Sequence, residues 1–169
     1  YDRRRQRQMC IRDRNIIEVK SNIDKYLIKT PVLRFDLIDS LCNSEVFFKC
    51  ENFQHTGSFK YRAALNAIKN IPYDFKKRGV ITHSSGNFAH ALSRASHELN
   101  IPCYIIMPSN TPDFKKKSVL KYTNNIIECE PNLNAREQTT KTVIKEKNLF
   151  FLHPSNNMDV ILGNSSCAC

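Results

Sequence analysis

A lysine that could act as an amine nucleophile lies at the start of a predicted helix. Lys60 follows a polar loop over residues 51–57, and Ser58 is suited to cap a helix that runs to residue 70. The positive end of a helix dipole disfavours an ammonium group, so the pKa of the Lys60 amine should be lowered. A neutral amine there could form a Schiff base with a carbonyl compound. Taken alone, the pattern is a weak signal, since most lysines near helix starts are solvated surface residues.

A second polar segment joins a predicted strand to a helix. Ser84, Ser85, Gly86 and Asn87 follow the apolar run at residues 79–83 and precede an amphipathic helix that extends to residue 100. Backbone N–H groups at such a turn are presented to an anion, and the carboxylate of an amino acid would fit. The same residue types also occur as ordinary turn and capping residues, so this segment by itself leaves both interpretations open.

The elements that must position these segments alternate along the chain. We predict helices at 15–28, 36–42, 58–70, 88–100, 113–122 and 134–147, the fifth capped by Asp113, and strands at 46–50, 79–83, 101–107, 125–129 and 149–152. From residue 79 onward, short apolar strands alternate with helices, which predicts an α/β fold with a parallel sheet covered by helices. Ligands bind outside the carboxyl ends of such strands, where we expect both polar segments.

The two segments together resemble a known family. Residues 53–64 read FQHTGSFKYRAA, and SSGN follows at 84–87; further matches are TPVL at 30–33, IPCYIIMP at 101–108, TPD at 111–113 and HP at 153–154. The chain resembles the family of serine racemases and serine-threonine dehydratases. Members of this family are fold-type II (tryptophan synthase β-like) enzymes that use pyridoxal 5'-phosphate. The resemblance covers residues 15–163 and implies a complete small domain and part of a large one.

The resemblance implies a role for each residue of the two motifs. Lys60 would form the Schiff base with the cofactor, Phe59 would pack beside the pyridine ring, and Asn87 would hydrogen-bond the ring 3′-oxygen. Ser84, Ser85, Gly86 and Asn87 would hold the substrate carboxylate. Lys60 would remove the Cα proton, and Ser85 would exchange a proton on the opposite face.

Ser85 favours one branch of the family. A serine there implies a serine racemase with L-serine or L-threonine ammonia-lyase activity, acting on L-serine, D-serine and L-threonine. Threonine dehydratase and hydroxyaspartate dehydratase remain alternative enzymes. The resemblance further implies a homodimer, and a divalent cation such as Mg²⁺ held by residues that this chain does not contain; no metal site is predicted here.

Composition argues against two other classes of protein. The formal net charge is +10, but residues 1–14 carry six Arg and two Asp, so the basic character is concentrated in one arm. A basic nucleic-acid-binding module is therefore the minor alternative, beside a catalytically inactive remnant. No apolar run is long enough to span a membrane, and the seven cysteines have no zinc spacing, so we predict a cytoplasmic protein.

We predict four segments along the chain. Residues 1–14 form an arm foreign to the fold, 15–75 the first part of a large cofactor-binding domain, 76–155 a small α/β domain, and 156–169 a return to the large domain whose pattern is lost from 164. The glycine-rich loop with which the family holds the cofactor phosphate has no counterpart in this sequence. We therefore expect an incomplete enzyme with weak cofactor binding and little activity.

Overall fold

The computed structural model describes residues 13–169, and side-chain surroundings from residue 15. The helices are α1 (Asp13–Ile23), α2 (Asp36–Cys42), α3 (Lys60–Lys69), α4 (Phe75–Arg78), α5 (Asn87–Glu98), α6 (Asp113–Leu120), α7 (Leu133–Lys147) and α8 (Met158–Ser165). The strands are β1 (Val32–Arg34), β2 (Phe47–Lys49), β3 (Val80–His83), β4 (Cys103–Pro108), β5 (Ile126–Cys129) and β6 (Phe150–Phe151). None of the helices described is both long and apolar enough to cross a membrane.

Four strands form the parallel sheet that the sequence predicts. Their order is β5-β4-β3-β6, with Ile81 beside Tyr104 and Ile105 beside Ile126 in register. All four residues of β3 are buried, as expected for a central strand with helices on both faces. The α/β prediction is confirmed, and its first and last strands here, β3 and β6, lie next to each other.

Alternate residues of the sheet face two separate cores. Val80 and Ile105 point to the side that α3 and α5 cover, within a cluster that also holds Leu65 and Leu92. On the other face, Ile81, Ile106 and Leu149 form a second cluster with Val143 of α7. The larger core therefore packs the helix that begins with Lys60 against the helix that begins with Asn87.

The segment before Lys60 belongs to a sheet of its own. Strands β1 and β2 pair antiparallel in a separate two-stranded sheet, with Leu33 opposite Phe48. The loop at 51–57 follows β2 and so does not extend from a strand of the parallel sheet, as residues 84–87 do; its place outside the carboxyl ends of that sheet stays a prediction. Apolar side chains of this unit remain exposed, including Phe47 at 61% and Leu41 at 75%.

Two predicted helix caps are not formed. Helix α3 begins at Lys60, and the preceding Phe59 already has right-handed helical angles, so the chain enters through a turn and Ser58 makes no capping bond. Helix α6 starts at Asp113 itself, without a side-chain cap. Helix α7 is capped by Asn132, whose side chain accepts from the Ala135 N–H at 2.7 Å.

Helix α8, which the sequence pattern does not indicate, packs against α3 near the end of the chain. Asn157 caps α8 by accepting a hydrogen bond from the Val160 N–H at 3.1 Å, and Val160 is fully buried. At Gly163 a Cβ atom would lie 2.6 Å from the Ala63 Cα, so only glycine permits this approach of α8 to α3. The division into a large and a small domain stays a prediction.

A buried ion pair fixes the loop that leads to α3. Arg62 donates from Nε and Nη2 to the two carboxylate oxygens of Glu51 at 2.9 and 2.8 Å, and Thr30 Oγ1 donates to Glu51 at 2.7 Å. Burial opposes ionisation of Glu51, but the bonds from Arg62 and Thr30 outweigh it, and the pKa of Glu51 is lowered. The carboxylate thereby joins the segment before β1, the loop and α3.

We expect Gly163→Ala to destabilise the protein. Alanine would gain up to about 1 kcal/mol in helix propensity, but its Cβ would meet backbone atoms of Arg62 and Ala63 that cannot move aside. Overpacking of this kind costs about 1–3 kcal/mol, so the free energy of unfolding in urea should fall. Ser165→Ala in the same helix adds no atoms and should stay close to the parent. An equal effect of both substitutions would contradict the close packing.

We expect Glu51→Gln to lower the free energy of unfolding by about 3 kcal/mol, since Arg62 would keep a buried, unpaired charge. Glu128→Gln, which breaks the more exposed pair with Lys116, should change it by about 1 kcal/mol or less. The Glu51 contribution is present above the ordinary carboxyl pKa and is lost as the pH falls through the lowered value. Urea unfolding at neutral and acidic pH measures both effects; a parent and a Glu51→Gln variant that differ equally at every pH would contradict the assignment.

Candidate active site

Lys60 occupies the first position of α3 and is partly buried. Desolvation by burial lowers the pKa of its amine. The Nζ atom lies 4.9 Å from the centroid of the Phe59 ring, and that ring is 40% exposed. Burial and the start of a helix together give a lysine that is more easily deprotonated than a fully solvated one.

The loop before Lys60 is held in one shape by its own side chains. Gln54 pairs with the backbone of Ile28 in both directions, accepting from its N–H and donating to its carbonyl, each at 3.0 Å. Gly57 has φ +70°, a left-handed conformation that favours glycine, and its N–H donates to the Gln54 carbonyl at 2.7 Å. The position of Lys60 is therefore determined by a rigid turn rather than by a mobile surface loop.

The serine turn, residues 84–87, extends directly from β3. The Ser84 N–H donates to the Ile106 carbonyl at 3.1 Å, which continues the pairing with β4. The N–H groups of Ser85 and Asn87 have no backbone acceptor within residues 13–169. Ser85 is partly buried and Asn87 is exposed. Free N–H groups at the start of a 12-residue helix suit a carboxylate.

Packing of α3 against α5 relates the two segments to each other. In the described part of the chain, Lys60 makes no hydrogen bond or ion pair with the serine turn. A direct polar contact between the two helices is made by Tyr61, the residue after Lys60, whose hydroxyl donates to Glu98 at the last position of α5. Both motifs thus belong to one helical layer.

Several buried hydroxyl groups near these segments lack a hydrogen-bond partner. Thr56 Oγ1 and Ser58 Oγ lie in the loop before Lys60, and Thr82 Oγ1 lies two residues before Ser84. Thr82 shares its sheet face with Val80 and so points to the α3 and α5 side. Buried polar atoms normally have partners. Unpaired hydroxyls beside an amine of lowered pKa fit a polar carbonyl cofactor such as pyridoxal phosphate.

His83 belongs to the other face of the sheet. Its ring packs 5.4 Å from Phe151 and 5.4 Å from His153, and burial followed by the nearby His153 lowers its pKa. The ring lines a cavity of about 180 Å³ beneath α7. The larger clefts, of about 400 and 460 Å³, contain neither Lys60 nor the serine turn. No group of three or more metal-ligating side chains exists among residues 13–169.

Two pairs of charged residues that hold the segments around Lys60 were not predicted from the sequence. Glu51 and Arg62 lie 11 positions apart, a separation that no local pattern indicates. Arg94 and Glu98 are four residues apart on one helix, a spacing that does predict an ion pair, and the structure forms it at 2.8 Å. The roles of Lys60 and the other motif residues stay predictions.

Known proteins resemble the chain over nearly its whole length. A family profile described as pyridoxal-phosphate dependent enzyme matches residues 23–169. Serine racemase of Dictyostelium discoideum is 40% identical over 155 residues, which are 92% of this chain and 48% of that protein. The beta-hydroxyaspartate dehydratase of Paracoccus denitrificans is 40% identical over 154 residues, which are 91% of this chain and 49% of that protein.

Solved structures agree with this likeness. The crystal structure of serine racemase from Dictyostelium discoideum superposes with a TM-score of 0.86 at 40% identity, covering 92% of this chain and 50% of that chain. The chain therefore spans about half the length of the curated relatives it matches. The matched region includes both motifs and the predicted fold-type II architecture is confirmed. The chain belongs to the family of pyridoxal-phosphate dependent enzymes.

Proposed function

We propose that this chain supplies the cofactor-bearing lysine and the substrate carboxylate site of a pyridoxal-phosphate dependent enzyme acting on small amino acids. The proposed activities are racemisation of serine and elimination of ammonia from L-serine or L-threonine. The observation that carries the proposal is Lys60, a partly buried amine of lowered pKa at the start of α3 in a chain of this family. Because the relatives are about twice as long as this chain, the proposed activities are those of the whole protein to which the chain belongs.

The residues before and after Lys60 support a cofactor at this position. Phe59 presents an exposed ring against which a pyridine ring could pack, and Asn87 presents an amide that could bond the ring oxygen. Thr56 and Ser58 offer unpaired hydroxyls. Lys60 would hold the cofactor through Nζ, since the lowered pKa of this amine leaves more of it neutral and nucleophilic.

The serine turn would orient the substrate. The free N–H groups of Ser85 and Asn87 can donate to an amino-acid carboxylate at the positive end of α5, with Ser84 and Gly86 completing the turn. When bound, pyridoxal phosphate withdraws electrons from the substrate Cα. Lys60 Nζ would then take the Cα proton from one face, and the Ser85 hydroxyl would give a proton to the other face.

A second activity has support from one relative. The beta-hydroxyaspartate dehydratase of Paracoccus denitrificans is as similar to this chain as the racemase is. A hydroxyaspartate differs from serine and threonine in carrying a second carboxylate. Dehydration of hydroxyaspartate or threonine is therefore the alternative, and the product formed from each substrate distinguishes it from serine racemisation.

We expect pyridoxal phosphate to label Lys60 selectively. The 169-residue chain would be incubated with the cofactor, reduced with borohydride and digested, and mass spectrometry would locate the pyridoxyl group. Because Lys60 combines partial burial with a lowered amine pKa, it should carry most of the label even if binding is weak. Lys60→Gln should remove the visible absorption band of the bound cofactor, whereas Lys77→Gln at an exposed position should keep it. Label spread evenly over the lysines would contradict the proposal.

We expect Ser85→Ala to reduce racemisation more than elimination. The assay would use a protein in which this chain replaces the matching half of the Dictyostelium racemase, measuring D-serine and pyruvate formed from L-serine. Loss of one positioned acid or base typically costs about 10²-fold or more, and elimination needs only the Lys60 face. Ser84→Ala is the control, since a carboxylate contact serves both reactions and both should fall together. Equal loss of both activities in Ser85→Ala would remove the role given to its hydroxyl.

A further inference from the structure

Four residues form a polar cluster between the two motif-bearing segments. Arg94 and Glu98 belong to α5, Tyr61 to the first turn of α3, and His55 to the loop before it. Arg94 Nε donates to Glu98 at 2.8 Å, and Arg94 Nη1 donates to the His55 carbonyl at 3.0 Å. The Tyr61 hydroxyl donates to the second carboxylate oxygen of Glu98. We name these four residues the brace.

Aromatic packing closes the brace around Tyr61. The His55 ring meets the Tyr61 ring edge-on at 5.1 Å, and the Arg94 guanidinium lies 5.6 Å from the same ring. Tyr61 is fully buried, whereas the Arg94 side chain is 23% exposed and that of Glu98 37%. An ion pair within one helix has little effect by itself. Here both members also bind groups outside α5, so the pair ties the helix to its neighbours.

The brace is adjacent to Lys60 and lies on the helix that starts at the serine turn. Tyr61 directly follows Lys60, whereas Arg94 and Glu98 lie in the second half of α5, which begins at Asn87. We infer that the brace is a positioning device: it sets the loop and first turn of α3 against α5, and so keeps the Lys60 amine partly withdrawn from water. A catalytic role for the brace rests on the proposed function. Its effect on the exposure of the Lys60 amine does not depend on that function.

The charges within the brace are mutually consistent. Burial opposes ionisation of Glu98, yet the bonds from Tyr61 and Arg94 outweigh it and lower its pKa. Burial, followed by the charge of Arg94, lowers the pKa of His55, so that ring is held neutral. Burial and the Glu98 bond raise the pKa of Tyr61, which keeps its hydroxyl a donor. Near neutral pH the brace thus holds one cation, one anion and two neutral rings.

The test measures the reactivity of the Lys60 amine without any cofactor. The full 169-residue chain would be treated with trinitrobenzenesulfonate across a pH series, and peptide mass spectrometry would follow Lys60 with exposed Lys77 as the reference. Tyr61→Phe removes one hydroxyl and keeps the ring; Arg94→Gln removes both of its bonds. Because loosening the brace would let water reach Lys60, its pKa should rise, and its reaction at pH 8 should fall about threefold or more relative to Lys77.

A matched control separates positioning from general loss of a surface contact. Lys116 binds a backbone carbonyl, that of Ser109 at 2.9 Å, and a carboxylate, that of Glu128, as Arg94 does. Lys116→Gln should leave the pH profile of Lys60 unchanged. Circular dichroism would verify that each variant is folded, and Tyr61→Phe, as the conservative change, keeps the test decisive if Arg94→Gln unfolds.

The outcomes distinguish the brace from the proposed function. Lys60 profiles that shift in Tyr61→Phe and not in Lys116→Gln support the brace, whether or not pyridoxal phosphate labels Lys60. An unchanged Lys60 profile in folded Tyr61→Phe would overturn the brace, and it would leave cofactor labelling of the parent chain to decide the function separately.

Discussion

The buried pair of Glu51 and Arg62 is the interaction on which the geometry of the site depends. A carboxylate this well buried is costly unless its oxygens are satisfied, and here Arg62 and Thr30 together supply three donors. The pair connects the segment before β1, the loop at 51–57 and α3, and the bonds between Gln54 and Ile28 also join the first two of these. Both sets of bonds hold the turn that leads to Lys60.

The packing of α3 against α5 and α8 also fixes the serine turn relative to Lys60. Helix α3 is almost entirely buried and lies between α8, which approaches through Gly163, and α5. Neither contact tolerates sliding, because backbone meets backbone at Gly163 and buried side chains interlock in the α3–α5 core. The end of β3 therefore presents residues 84–87 at a fixed place relative to the start of α3, although no bond joins Lys60 to that turn.

The chain contains several of the chemical groups that the proposed reaction requires. Its amine and aromatic face suit a carbonyl cofactor, and its free N–H groups suit a carboxylate. Several buried hydroxyls near these groups have no hydrogen-bond partner among the described residues. It also exposes apolar residues on β1, α2 and β2 while spanning about half the length of its relatives. Exposed apolar surface of this kind marks an interaction surface.

The sequence by itself determined the type and order of most elements, because alternating apolar strands and amphipathic helices are local patterns. It also placed Lys60 and the serine turn at helix starts, and it identified the family. It misjudged Ser58 and Asp113 as caps, because capping depends on the backbone angles of a neighbour rather than on residue type. Only the tertiary structure decided that the loop before Lys60 leaves a separate sheet, that Glu51 pairs with Arg62, and that α8 packs on α3. Those features arise from contacts between residues distant in sequence, whose energies no local pattern contains.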